Sequence, residues 1–160
     1  MAEKNVQPEE LNLDTKVTVK NIAGWTVGFS RKADGYGDVN IAPGGSIRLS
    51  RNEIIAQVQN GNKLFAGTDG FGSHATLYID DAPTRKELGF ETEDSKQLVF
   101  CNIDMKDLFK KGQRAFEVEF VKLVYTRAEK FAIMEAMRRD NVNDYSKIRF
   151  AENHTGYKFQ

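Results

Sequence analysis

The amino-acid pattern predicts an α+β chain, with a small N-terminal β-barrel or sandwich followed by a small C-terminal helical bundle. Two observations carry this expectation. Between residues 16 and 80, apolar and polar side chains alternate in short runs separated by glycine-rich turns. From residue 102 the apolar period lengthens to that of a helix, and helix-capping residues punctuate the chain. The expected units are an extended N-terminal arm at 1–15, a β module at 16–100 and a helical module at 101–160.

The arm is acidic. Glu3, Glu9, Glu10 and Asp14 outnumber its one lysine, Lys4, and Pro8 interrupts any regular element. Past Met1 its bulky apolar residues are Val6, Leu11 and Leu13, the side chains available to order against a neighbouring subunit.

In the β module, Val17 and Val19 alternate with Lys16, Thr18 and Lys20. Trp25, Val27 and Phe29 alternate with Thr26, Gly28 and Ser30. Both runs have the period of a half-buried strand. Asp34-Gly35-Tyr36-Gly37-Asp38 is turn chemistry, with glycines free to take positive φ. Val39 and Ile41 form one short strand and Ile47 and Leu49 another, separated by Pro43-Gly44-Gly45. Ser50-Arg51-Asn52-Glu53 spells a capping box for a short helix through Ile54, Ile55 and Val58, ended at Asn60-Gly61-Asn62. Leu64-Phe65-Ala66 is expected as a brief strand, Thr68–Ser73 as a loop, and Ala75, Leu77 and Ile79 as a further strand. Residues 81–97, with Pro83, Gly89 and mixed charges, read as an exposed connection. Leu98-Val99-Phe100 either closes the sheet or opens the next unit.

In the helical module, Asp104 is placed to cap a short helix through Leu108 and Phe109, with Gly112 placed to end it. Residues 113–125 fit a helix through Phe116, Phe120, Leu123 and Val124, and equally a strand through Phe116, Val118 and Phe120. The helical flanks favour the helix. Thr126-Arg127-Ala128-Glu129 is a capping box, and its helix carries Phe131, Ile133, Met134 and Met137. Arg138 and Arg139 suit its C-terminal dipole. Asn143 or Asp144 caps a last helix with Ile148, Ala151 and Thr155 on one face, Gly156 at a left-handed cap and Tyr157 as the apolar contact after it. These last two helices are expected to pack as an αα-hairpin.

Composition narrows the function classes. The 160 residues carry 23 Lys+Arg against 23 Asp+Glu, and this balance argues against a protein whose main task is to hold a nucleic acid. No apolar run approaches the roughly 20 residues of a membrane helix. Met1-Ala2-Glu3-Lys4-Asn5 lacks the basic start and apolar stretch of a signal peptide, so a cytosolic origin is expected. A single cysteine, Cys101, leaves no internal disulfide, and two histidines, His74 and His154, leave little material for a metal site.

No catalytic, cofactor-binding or metal-binding residue is assigned. The stretch Gly67–His74 is glycine-rich, but it lies between apparent strands and lacks the Gly-Lys-Ser/Thr ending of a phosphate-binding loop, so a long turn is the reading taken. Ser73 and His74 are adjacent and would point to opposite faces of a strand, which disfavours a nucleophile–base pair. His74 is expected to be a solvated residue beside a turn. Asp34, Asp38 and Asp69 do not have the spacing of a calcium loop, and Asp80-Asp81 before a proline reads as a cap. Arg48 with Arg51, and Arg127 with Lys130, Arg138 and Arg139, read as solvated faces or protein contacts. The candidate interface residues are Val6, Leu11 and Leu13 of the arm, Phe71 of the loop, and Tyr157 and Phe159 at the C-terminal end.

Two stretches together resemble a family of tailed-phage virion proteins, including those of crAss-like phages. Val17-Thr18-Val19-Lys20-Asn21, the Pro43-Gly44-Gly45 turn and the Ser50–Val58 region resemble its opening β module. Asn143-Asp144-Tyr145-Ser146-Lys147 followed by Glu152-Asn153-His154-Thr155-Gly156 resembles its helical end. The chain departs from the pattern in a longer, more glycine-rich Gly67–His74 loop and a more apolar Gln113–Tyr125 stretch. The resemblance implies a virion component without a cofactor, most simply an auxiliary head protein present in many copies; the alternatives are a neck or tail structural protein, or a small phage- or bacterium-encoded module that binds a host protein. Its implied partners are the major capsid protein or other virion proteins, not a membrane or a specific nucleic acid.

Overall fold

The computed structural model describes residues 11–97 and 105–159. It is a mixed α+β chain with the element order β1 (Lys16–Asn21), β2 (Val27–Ser30), β3 (Asp38–Ile41), β4 (Ser46–Ser50), α1 (Arg51–Gln59), α2 (Lys63–Ala66), β5 (Leu77–Asp80), α3 (Ala82–Glu87), α4 (Met105–Lys110), α5 (Gln113–Leu123), α6 (Arg127–Arg139) and α7 (Tyr145–Thr155).

The described strands do not close into a barrel. β1 is the centre of a three-stranded antiparallel sheet, order β4-β1-β5, and β2 pairs with β3 in a separate ribbon. The strands are four to six residues long, too few and too short to wrap a closed sheet. Register puts Val19 opposite both Ile47 and Ile79 on the inner face, and Thr18 opposite Arg48 and Asp80 on the outer one. The inner face shares one core with Val27, Val39 and Ile41 of the ribbon and with Ile54 and Phe65 of α1 and α2. Asn21, buried at the end of β1, joins the two sheets. Its Nδ2 donates to the carbonyls of Trp25, Ile41 and Ala42, and its Oδ1 accepts from the Ala23 amide.

Four expectations about individual elements are corrected. Leu64–Ala66 is helical, in α2. The Asn62 side chain accepts from the Leu64 amide and starts a turn that three apolar residues do not distinguish from a strand. The connection at 81–97 contains α3, for which Asp81 is the N-cap and Pro83 sits in the first turn, where proline's missing donor costs nothing. Gly112 does not end α4 in a left-handed conformation. Its φ is −59°, and it is the N-cap of α5. The strand expected from Ala75 begins at Leu77. Asp104, Leu98-Val99-Phe100 and Cys101 lie outside the described residues.

A second core lies among the helices, with Phe116, Phe120, Ile133, Met134, Met137 and Ala151 fully buried. Residues 113–123 are helical, as the flanks indicated. The Thr126/Glu129 capping box is complete, Asp144 caps α7, and Gly156 takes the left-handed conformation, φ 79°. α7 packs on α5 as well as on α6. No helix among the described residues is long and apolar enough to cross a membrane.

Candidate functional site

α6 joins the two cores. Its first turn gives Ala128 to the β-side core, and its later turns give Ile133, Met134 and Met137 to the helical core. Phe131 meets Trp25 edge-on at 6.2 Å, and the Arg127 guanidinium lies 5.2 Å from the Trp25 ring centre. On the other side of the capping box is His74. It is not the solvated residue expected. Its side chain is 14% exposed, and Nδ1 lies 3.0 and 2.9 Å from the two oxygens of Glu129, which is fully buried. Glu129 also accepts from the Tyr125 and Thr126 amides. A carboxylate only accepts, so the His74 proton sits on Nδ1, and Nε2 makes no hydrogen bond among the described residues. His74 takes φ 60°, a left-handed conformation that histidine adopts more readily than most residues. Ser73 does not pair with it; its hydroxyl donates to Asp69.

Two loops on the β side present aromatic rings. Both have the string Asp-Gly-aromatic-Gly, at Asp34–Gly37 and Asp69–Gly72. All four glycines have positive φ, between 81° and 102°, so the chain doubles back on each side of the ring. Tyr36 is 101% exposed and Phe71 62% exposed.

The bases of both loops are fixed. The buried Glu53 carboxylate accepts from the Lys32 and Ala33 amides, while the Gln57 amide group donates to the Ser30 carbonyl. Asp34 accepts from the Ser50 hydroxyl. In the second loop Asp69 accepts from the Phe71 and Ser73 amides and the Ser73 hydroxyl. Burial acts to raise the Asp69 carboxyl, but the Ser73 hydroxyl and these amides outweigh it and hold it below its ordinary value. Gln97 Nε2 donates to the Gly72 carbonyl from behind.

The remaining interface candidates are scattered. Leu11 is half-buried and Leu13 is exposed. Their segment is tied to the start of α1 by the Asn52 amide on the Leu13 carbonyl and the Arg51 guanidinium on the Asn12 carbonyl. Tyr157 and Phe159 pack on the helical core of their own chain, Tyr157 against Phe131 and Phe159 beneath Arg138. Val6 lies outside the described residues. The basic runs are dispersed: Arg51 pairs with Asp81, Arg138 with Glu135 and Arg139 with Asp140. Among the described residues no three His, Cys, Asp or Glu side chains gather as metal ligands would.

The sequence groups Tyr36 with Trp25, Phe29 and Phe71 as aromatics able to form an exposed surface, but of these only Phe71 is among the interface candidates. The repeated Asp-Gly-aromatic-Gly string is the signal that pairs Tyr36 with Phe71. The capping boxes mark Glu53 and Glu129 as helix starts, but nothing local announces that their carboxylates hold the Lys32–Ala33 turn and His74, 20 or more residues away in sequence. Comparison with protein-family models, with curated proteins and with solved structures returns no match.

Proposed function

We propose that this protein is a non-enzymatic structural component of a tailed-phage particle, an auxiliary or decoration protein bound in many copies to the major capsid protein. One observation carries the docking part of this reading: Tyr36 and Phe71 stand out on two loops whose bases are pinned by Glu53 and Asp69. Exposed aromatics are the residue type that anchors protein interfaces, and an anchor already held in place loses less conformational freedom on binding. The resemblance of the β1, Pro43–Gly45 and α7 segments to tailed-phage head proteins supplies the particle as the setting. On this reading the chain is made in the host cytoplasm and ends in the virion.

The test is mass spectrometry of purified particles of the encoding phage, followed by rebinding of purified chain to particles that lack it. Presence in the particle, and rebinding weakened about tenfold or more by Tyr36→Ser with Phe71→Ser, is the expected result. Absence from the particle refutes the virion role. Capture of one host protein by the free chain would then assign the loops to a different partner.

A further inference from the structure

Beside His74 lies a groove of about 470 Å³ lined by Asn62, Lys63, Thr68, His74, Thr76 and Tyr125, among others. Among the described residues, grooves elsewhere on the surface carry carboxylates in their walls: Asp140 and Asp144 in one, Glu135 in another, Glu117 in a third. The His74 groove has none. Glu129, bonded to the imidazole, is fully buried and occupied by His74 Nδ1 and two backbone amides.

The wall therefore offers an ammonium from Lys63, hydroxyls from Thr68 and Thr76, and the outer nitrogen of a histidine held by a carboxylate. No hydrogen bond to His74 Nε2 is made among the described residues, and the atom is not sealed from solvent. Because Nδ1 donates its proton's hydrogen bond to Glu129, Nε2 either accepts from a protonated ligand oxygen or, when it also carries a proton, donates to an anionic one. A phosphate or carboxyl group can meet either condition, and Lys63 in the same wall balances an anionic oxygen.

We infer that this groove binds a small oxyanion, a phosphate or carboxylate group, between His74 Nε2 and Lys63. The site lies outside the Tyr36 and Phe71 tips and does not depend on the docking role. Glu129 positions the ring and does not touch the ligand. Lys63 supplies charge, and the threonine hydroxyls supply further donors.

The test follows the His74 ring signals by NMR while sodium phosphate, sodium acetate or sodium chloride is added to the full chain. A saturable shift with phosphate or acetate, absent with chloride, is expected, with a dissociation constant of about 1 mM. Whichever of the two oxyanions shifts the ring at lower concentration identifies the group. Lys63→Ala, at an exposed position, is expected to weaken binding about fivefold or more with the fold intact. His74→Gln is expected to abolish it, read on the Tyr125 and Thr76 amides. Overturning results are equal shifts with all three salts, no saturation with either oxyanion, or unchanged affinity in Lys63→Ala.

Discussion

Glu129→Ala removes a carboxylate that holds the two modules together and starts a helix. Three groups lose their acceptor: the Tyr125 amide, the Thr126 amide and His74 Nδ1. Loss of the reciprocal half of a capping box costs about 1 kcal/mol. Leaving the mostly buried imidazole without its charged partner costs about 1–3 kcal/mol. The expected total is about 3 kcal/mol, a large share of the stability of a domain this size. Glu129→Gln keeps one acceptor oxygen and falls between the variant and the parent.

The decisive measurement is a double-mutant cycle with His74→Ala, by urea unfolding. Trp25 is the one tryptophan, and it sits at the junction against Phe131, so its fluorescence reads this contact while far-UV circular dichroism reads the helices. The cycle isolates the His74–Glu129 term, expected at about 1–2 kcal/mol. A coupling below about 0.3 kcal/mol would refute the junction argument, because the two side chains would then be neighbours without interaction.

Glu53→Ala should cost about 2–3 kcal/mol by stripping the acceptor from the Lys32 and Ala33 amides; hydrogen exchange at these two amides should rise, and unchanged exchange would sink the account. Gly24→Ala places a Cβ 2.1 Å from Phe131 Cε1, so the melting temperature should fall and Trp25 emission should shift, with about 1–3 kcal/mol lost; an unaltered melting curve contradicts it. Asp81 is raised by burial but lowered further by the Thr84 hydroxyl and the Arg51 guanidinium, so its folded value lies below the ordinary 3.8. A depressed carboxyl gives stability that is present above 3.8 and lost as pH falls through the folded value, so the advantage of the parent over Asp81→Asn should shrink in acid-range urea titrations. The Tyr36→Ser and Phe71→Ser variants should stay within about 0.5 kcal/mol of the parent, since exposed rings contribute little to folding, and a larger loss would mean that they pack.

The helical half was legible because its signals are local. Thr126 and Glu129 are three residues apart, as are Ser50 and Glu53, and both pairs begin helices. The second pair shows the limit of local reading. Ser50 caps the Glu53 amide, but the Glu53 side chain turns away to hold the Lys32–Ala33 turn, a choice set by tertiary contact. Leu64-Phe65-Ala66 is too short to show a period, and Pro83 marks a helix start as readily as a break. The strand segments were legible, but not their closure. Alternation says which face is buried and does not say how many strands gather round it. His74 looked solvated because its partner lies 55 residues further along the chain.

The helix Arg127–Arg139 lends side chains to both cores. The modules are therefore not interchangeable cassettes. Severing them would expose Ala128 and Phe131 on one fragment and leave Trp25 uncovered on the other. Trp25 and His74 of one half both lean on this helix, so any variant that shifts it is felt in the two interiors together.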